Sequence, residues 1–122
     1  MYQRWPKRDP NKHYYLVPNE VFNLGLSSHE IAVYNYLLRC EDRRTYQCHP
    51  SYRTISDVVH LTVSTVMKHI TKLADRQFIT VESTSYIDKR GMKWNGNNLY
   101  TILPIQMAMD YCYQQQLLRL EA

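Results

Sequence analysis

Apolar side chains follow a helical period along most of the chain and a strand-like period in two short runs. Residues 50–81 carry the clearest pattern, in which two apolar stripes of helical spacing are separated by one very short turn. Alternation of apolar and polar positions begins at the end of this stretch, as is typical of a strand. Residues 50–81 are therefore predicted to form two amphipathic helices and a strand, the layout of a helix-turn-helix.

A capping box predicts where an earlier helix begins. The Ser27 hydroxyl and the Glu30 carboxylate are three residues apart, so each can accept a hydrogen bond from a free backbone amide at a helix start. Tyr34 and Leu37 then continue an apolar stripe to about Cys40, where the sequence becomes charged. We expect this first helix to be a scaffold element.

Two more caps mark the helices within residues 50–81. Ser51 can cap a short second helix, and Thr62 can cap a third helix after a turn at His60 and Leu61. The third helix is predicted to have an apolar core face, made of Val66, Ile70 and Leu73. Its outer face is available to a partner and consists of Val63, Ser64, Met67, Lys68, Thr71 and Lys72.

Residues 78–82 and 99–103 alternate between apolar and polar positions, with a glycine-containing basic segment between them. They predict a β-hairpin with a long basic tip. At the other end of the chain, residues 1–13 contain two prolines and little periodicity, which indicates a flexible basic arm. Residues 13–17 are expected to be extended, and residues 19–24 to form one or two helical turns that stop at Gly25.

Pro104 stands where a last helix can begin, so residues 105–122 are predicted to be helical. This helix has two open roles, because its apolar stripe can complete the core or pair with the same helix of a second copy. We expect its first half to fold back onto the domain. The stripe consists of Ile105, Ala108, Met109, Cys112, Gln116 and Leu120.

Three helices followed by a hairpin are in the order of a winged helix. The predicted fold class is α+β, with a winged helix-turn-helix domain at residues 14–104 that has a three-helix core and a β-hairpin wing. An extra C-terminal helix follows it. No internal repeat is visible.

The motifs of residues 50–79 resemble those of GntR-type and related bacterial winged-helix proteins. Residues 14–103 are more similar still to helix-turn-helix domains of replication-initiator-like and mobile-element proteins of Gram-positive bacteria. Three residues depart from the usual pattern: His60 and Gln77 replace glycines, and Val63 replaces an arginine. The matching elements are Pro50 with Ser51, residues 55–59, His60 with Leu61, Thr62, Thr65 with Val66, Leu73, Phe78 with Ile79, and Asn98 to Tyr100.

This resemblance implies that the third helix lies in the major groove of double-stranded DNA. Hydroxyls at its start suit phosphate oxygens, Lys68 is the best candidate for a base edge, and Lys72 is the better phosphate candidate. The recognition-helix candidates are Thr62, Val63, Ser64, Thr65, Met67, Lys68 and Lys72. The wing candidates are Lys89, Arg90, Lys93 and Trp94, although Trp94 can instead tuck under the wing. Secondary backbone candidates are Ser51, Arg43, Arg44 and Arg53.

Composition limits the other function classes. The chain has 122 residues, of which 44% are hydrophobic, a formal net charge of +4 and no apolar run of membrane-spanning length. A cytoplasmic, nucleoid-associated bacterial protein is expected. The three cysteines lack the pairing of a zinc or redox motif, although a metal site from Cys40, Cys48, His49 and His60 is conceivable. We expect no metal, no cofactor, no small-molecule ligand and no enzymatic activity, since catalytic motifs are missing.

The predicted function is sequence-specific or semi-specific binding of double-stranded DNA, as a transcriptional regulator or a replication-initiator-type protein. Homodimers through the C-terminal helix are a further expectation. The alternative is a winged-helix module for protein–protein interaction or oligomerisation that makes no direct DNA contact. Only modest sequence specificity is expected, because the outer face of the third helix is weakly basic.

Overall fold

The computed structural model describes residues 4–121, and its first elements are helical. A 3₁₀ helix at Asn19–Asn23 is followed by α1 at Ser28–Cys40, α2 at Tyr52–Val59 and α3 at Val63–Asp75. The predicted capping box at the start of α1 is confirmed. The Ser27 amide donates to the Glu30 carboxylate at 2.7 Å, and the Glu30 amide donates to the Ser27 hydroxyl at 3.2 Å. Two backbone amides that the helix itself leaves unpaired are thus satisfied.

Side-chain caps also set the starts of α2 and α3, as predicted. The Ser51 hydroxyl accepts a hydrogen bond from the Thr54 amide at 3.0 Å, and the Thr62 hydroxyl accepts one from the Thr65 amide at 3.3 Å. Between the two helices, His60 adopts the left-handed conformation with φ +58°, and its amide donates to the Ser56 carbonyl. The left-handed residue ends α2 and changes the direction of the chain, so that α3 begins after a single short turn.

Five short strands complete the domain. They are β1 at Gln47–Cys48, β2 at Ile79–Glu82, β3 at Ser85–Ile87, β4 at Lys93–Asn95 and β5 at Leu99–Ile102. An antiparallel sheet has the order β1-β5-β2, in which Thr101 pairs with Gln47 on one side and with Thr80 on the other. Strands β3 and β4 form a separate antiparallel pair.

The wing differs in detail from the predicted single hairpin with a long loop. The β2–β5 ladder ends at the pair Glu82 and Leu99, and the β3–β4 ladder begins at Ser85 and Asn95. Two residues separate the ladders between β2 and β3, and three separate them between β4 and β5. This mismatch resembles a β-bulge and bends the wing. The predicted basic tip is therefore a second hairpin.

Two further details were not captured by periodicity. Strand β1 has only two residues, too few to show an alternating pattern, and it is held by pairing with β5. The segment expected to be extended at residues 13–17 belongs to no helix or strand. Val17 instead packs against the core as a single side chain.

Helices α1, α2 and α3 enclose the core together with the sheet. Leu37, Ile55 and Val66, one from each helix, are fully buried. Tyr34 of α1 meets Phe78 edge-on, with ring centroids 5.2 Å apart, and so joins the helices to the start of β2. The predicted core face of α3 is confirmed, since Val66, Ile70 and Leu73 are all buried.

The last helix, α4 at Ile105–Glu121, packs on the domain through its first turns only. Ala108 is buried and Met109 and Cys112 lie against the core, whereas every residue from Tyr113 to the end of the helix is exposed. The predicted α+β winged helix-turn-helix with an additional C-terminal helix is confirmed. No helix within residues 4–121 is both long and apolar enough to cross a membrane.

Candidate nucleic-acid interface

The outer face of α3 is open to solvent and uncharged except for two lysines. Val63, Ser64, Met67 and Lys68 are all exposed. The cap at Thr62 stands at the N-terminal end of the helix, where backbone N–H groups and the positive end of the helix dipole favour an anion. Small, apolar and basic side chains thus share one accessible surface on a rigidly capped helix.

Lys72 is already engaged within the domain. Its ammonium group lies 3.1 Å from Oε2 of Glu30, a carboxylate that is only 1% exposed. Burial alone would raise the pKa of Glu30, but hydrogen bonds from Ser27 and Lys72 outweigh it and hold that pKa below its ordinary value. The pair ties α3 to the start of α1. Lys68 is consequently the lysine of the outer face that remains available to a ligand.

Asp88 organises the tip of the β3–β4 hairpin. Its Oδ1 atom accepts hydrogen bonds from the amides of Arg90 and Met92, at 2.8 and 2.9 Å. Its Oδ2 atom accepts one from the Trp94 indole N–H at 2.9 Å. The indole donor, then the Met92 amide, lower the pKa of Asp88 because they favour the carboxylate. Gly91, with φ +80°, supplies the left-handed residue of this turn.

The wing candidates surround this turn. Lys89 and Arg90 are exposed at the tip, and Lys93 is exposed at the start of β4. Trp94 does not tuck under the wing, because 52% of its side chain is exposed. The hairpin therefore presents three cations and an aromatic ring to solvent, while its one carboxylate is occupied by the turn.

The base of the wing is fastened to the start of α2. The Asn98 side-chain amide donates to the Tyr52 hydroxyl at 2.8 Å, and that of Asn97 donates to the His49 carbonyl at 3.2 Å. Ser51, Arg53 and Val63 line the same cavity of about 330 Å³, which lies between α2, α3 and the wing base. These contacts bring the starts of both helices beside the wing.

Sequence reasoning did not single out Tyr52, Asn97 and Asn98 for this position. The two asparagines follow Gly96 between the predicted strands, where asparagine is common in turns. Their hydrogen bonds to the His49 carbonyl and the Tyr52 hydroxyl show that they face the start of α2.

Arg43 and Arg44 lie apart from this surface. They belong to the turn before β1, in which the Tyr46 carbonyl accepts a hydrogen bond from the Ile102 amide, at the end of the sheet farther from the wing. Arg43 lines a different cavity with Tyr14 and Arg39. Among the secondary backbone candidates, only Ser51 and Arg53 are brought together with α3 and the wing base.

The predicted basic arm contributes no secondary structure within its described part. Residues 4–13 are exposed and lie outside every helix and strand, apart from a turn in which the Lys12 amide donates to the Asp9 carbonyl. The first three residues of the arm, and residue 122 of the predicted last helix, lie outside the described residues. Flexibility of the arm remains a prediction.

The conceivable metal site from Cys40, Cys48, His49 and His60 is not assembled within residues 4–121. No group of three or more His, Cys, Asp or Glu side chains in residues 4–121 is arranged to hold a metal ion. Cys40, Cys48 and Cys112 are free thiols. Burial raises the pKa of Cys48 to about 12, so this thiol stays protonated at neutral pH.

Comparisons with known proteins agree with the fold. Residues 24–79 match a family model described as a helix-turn-helix domain, which spans α1 to α3 and reaches the first residue of β2. Among solved structures, the chain is similar to a possible transcriptional regulator from Methanosarcina mazei Go1, with a TM-score of 0.51. The two share 21% sequence identity, and the similarity covers 80% of this chain and 76% of that one. No curated protein matches the chain.

Fold and site together define a winged helix that contains a helix-turn-helix domain. The family match ends before the wing and α4, so it carries no information about these two elements. At 21% identity, the structural neighbour shows the fold alone.

Proposed function

We propose that the chain binds double-stranded DNA by placing α3 in the major groove. The observation that carries this proposal is the outer face of α3, which is exposed, is capped at its start and begins beside the base of a basic hairpin. A major groove about 12 Å wide admits one α-helix, and its floor shows a distinct donor and acceptor pattern for each base pair. The helix-turn-helix match supports DNA binding in general.

The residues of the outer face have separate roles in this proposal. Thr62, Ser64 and Thr65 contact phosphate oxygens, because hydroxyls and free amides at a helix start suit anions. Lys68 donates to a base edge, and Val63 and Met67 pack on thymine methyl groups. Lys72 contributes less than Lys68, since it is paired with Glu30.

Contacts to the DNA backbone come from the rim of the same surface. Ser51 and Arg53 at the start of α2, which line a cavity with the wing base, contact phosphates, and the exposed cations of the wing contact a further part of the backbone. A single lysine that reads bases gives modest sequence specificity per protomer. The chain accordingly acts as a transcriptional regulator or a replication-initiator-type protein at the bacterial nucleoid.

Homodimerisation through α4 is the second part of the proposal. Leu117, Leu118 and Leu120 are exposed on the half of α4 that leaves the domain. Burying such side chains against the same helix of a second copy is favourable at about 25 cal/mol per Å² of apolar surface. A two-fold dimer would read two half-sites one DNA turn, about 34 Å, apart.

Fluorescence anisotropy with a labelled duplex library at low salt tests the DNA proposal. We expect binding that weakens with salt at a log–log slope of about −0.9 for each phosphate contact. Lys68→Ala should weaken binding by about 1–3 kcal/mol if Lys68 contacts a base. Arg39→Ala is the matched control, since this exposed arginine lies beside Arg43 and away from α3.

The alternative function is an interaction module that makes no direct DNA contact. It predicts no binding to duplex at low salt. Binding that Lys68→Ala and Arg39→Ala weaken equally would instead show that DNA does not contact α3. Either result would reject the role of α3 as the recognition helix.

A further inference from the structure

The wing carries two exposed aromatic side chains on one face. Tyr86 of β3 and Trp94 of β4 are directly paired in the antiparallel ladder, so they project to the same side of the hairpin. Tyr86 is 56% exposed and Trp94 is 52% exposed, and both lie outside the hydrophobic core. Packing within the domain therefore does not account for this pair.

Trp94 is nevertheless held in position. Its indole N–H donates to Asp88, and the same carboxylate accepts two backbone amides of the turn. The hydrogen bond thus holds the edge of the ring that carries the indole N–H, while the rest of the ring faces solvent. An aromatic ring that is ordered before binding loses less conformational entropy when a ligand stacks on it.

The charge around the pair favours a polyanion. Lys89 and Arg90 are exposed at the tip of the hairpin, whereas Lys93, next to Trp94 along β4, projects to the opposite face. Asp88, the one carboxylate between the two strands, is occupied by the turn. Cations beside exposed aromatic rings are the combination that proteins use to bind single-stranded nucleic acid, where phosphates meet the charges and bases stack on the rings.

The shape of the hairpin argues against insertion of this face into the minor groove of duplex DNA. Neighbouring strands lie about 4.8 Å apart, and each carries a ring here. The face is therefore broader than the minor groove, which is about 6 Å wide in B-DNA. An unpaired base can stack on this face because it does not lie inside a groove of limited width.

Contacts at the base of the hairpin hold its two strands close together. The Gly96 amide donates to the Thr84 carbonyl at 2.9 Å, and the Thr84 hydroxyl donates to the Asn97 carbonyl. A Cβ atom at Gly96 would lie 2.5 Å from the Thr84 hydroxyl oxygen, so this close approach requires glycine. These contacts hold the bulge between the two ladders and fix where the aromatic face points.

We propose that Tyr86 and Trp94 form a stacking platform for unpaired bases of single-stranded DNA next to the duplex. Lys89 and Arg90, at the tip of the hairpin, hold the phosphates of that strand. This inference rests on the proposed function, in which α3 binds the neighbouring duplex. It makes a junction between double-stranded and single-stranded DNA the preferred ligand.

The test uses three labelled probes: a blunt duplex, the same duplex with a single-stranded thymidine tail, and the tail alone. Trp5→Phe leaves Trp94 as the sole tryptophan, since the chain has two. We expect the tailed duplex to bind more tightly than the blunt duplex, and the tail to quench Trp94 fluorescence. Trp94→Ala should lower the preference for the tailed duplex roughly 5- to 150-fold, the range measured for single base–aromatic stacks.

Phe22→Ala is the matched control, because Phe22 is an exposed aromatic residue of the 3₁₀ helix, outside the proposed surface. It should leave the ratio of tailed to blunt affinity unchanged. Tyr86→Ala provides a second variant if Trp94→Ala disturbs the hairpin, and circular dichroism verifies the fold of each protein.

Equal affinities for tailed and blunt duplex in the wild type, or an unchanged ratio in both aromatic variants, would overturn the platform. Failure of the blunt duplex to bind would instead reject the role of α3. If the blunt duplex does not bind, quenching of Trp94 by the tail alone would still support the platform. If the tail does not quench Trp94 either, the platform is rejected together with the role of α3.

Discussion

His60 and Gln77 occupy backbone conformations that glycine usually takes. Their φ values are +58° and +68°, and each follows the end of a helix of the helix-turn-helix. The left-handed conformation costs an L-residue roughly 1–2 kcal/mol, because Cβ approaches the following carbonyl oxygen. Both are positions at which the bacterial winged-helix domains that the sequence resembles have glycine, so the sequence indicates the positions but not their conformation.

Replacing either residue by glycine should stabilise the fold. Relief of the left-handed strain exceeds the added entropy of the unfolded chain, so we expect a gain of up to about 1 kcal/mol each for His60→Gly and Gln77→Gly. Urea unfolding measures it. Asp57→Gly, within α2, is the control and should cost about 1 kcal/mol. Destabilisation by all three variants would show that the two turns do not need left-handed residues.

At the scale of elements, the Glu30–Lys72 ion pair joins α1 to α3. Glu30 also completes the capping box of α1. One buried carboxylate therefore caps the start of α1 and helps to orient α3. The sequence predicted the capping box from residues three apart. The ion pair spans 42 positions, and no local pattern predicts a contact at that separation.

Glu30→Gln should weaken the domain in a pH-dependent way. Because the folded-state pKa of Glu30 is below its ordinary value of 4.5, its stabilisation is present above that pH and is lost as the pH falls through the lower folded-state pKa. We expect a loss of about 1–2 kcal/mol at pH 7, discounted because Lys72 is partly exposed.

Urea unfolding of wild type and Glu30→Gln, from neutral pH to about pH 3, measures this effect. The difference between the two proteins should shrink as the pH falls. Glu82→Gln removes an exposed carboxylate of β2 and serves as the control. A constant difference at every pH would contradict the assigned role of the Glu30 carboxylate.

Elements with local start signals were predicted well, and elements made by distant pairing were not. Three helix starts were predicted from the capping residues Ser27, Ser51 and Thr62, and the structure confirms all three caps. Strand β1 and the bulge below β3 depend on which distant residues pair, which a single sequence does not contain. The same reason explains why Arg43 and Ser51, close in sequence, lie toward opposite ends of the sheet.

At the scale of the whole molecule, α4 combines a docked half with an exposed half. The apolar stripe predicted along residues 105–120 is buried only as far as Cys112. Beyond that point, exposed leucines stand on a helix that has left the core, as the proposed dimer requires.

Sedimentation at micromolar concentrations tests this dimer. We expect the wild type to sediment above its monomer mass of 14.6 kDa, and Leu117→Glu with Leu120→Glu to sediment as a monomer, because the charges cannot be buried in an apolar interface. Gln114→Glu, on the same exposed half, should leave the mass unchanged. A monomeric wild type would reject the dimer.

The central claim is that α3 and the wing, rather than α4 or the distal end of the sheet, receive DNA. Titration of the ¹⁵N-labelled protein with duplex DNA, followed by amide chemical shifts, tests it most directly. We predict the largest shifts at residues 62–72 and 85–98, and small shifts at residues 42–46 and along α4. Absence of shifts at low salt, or shifts centred on α4, would contradict the account.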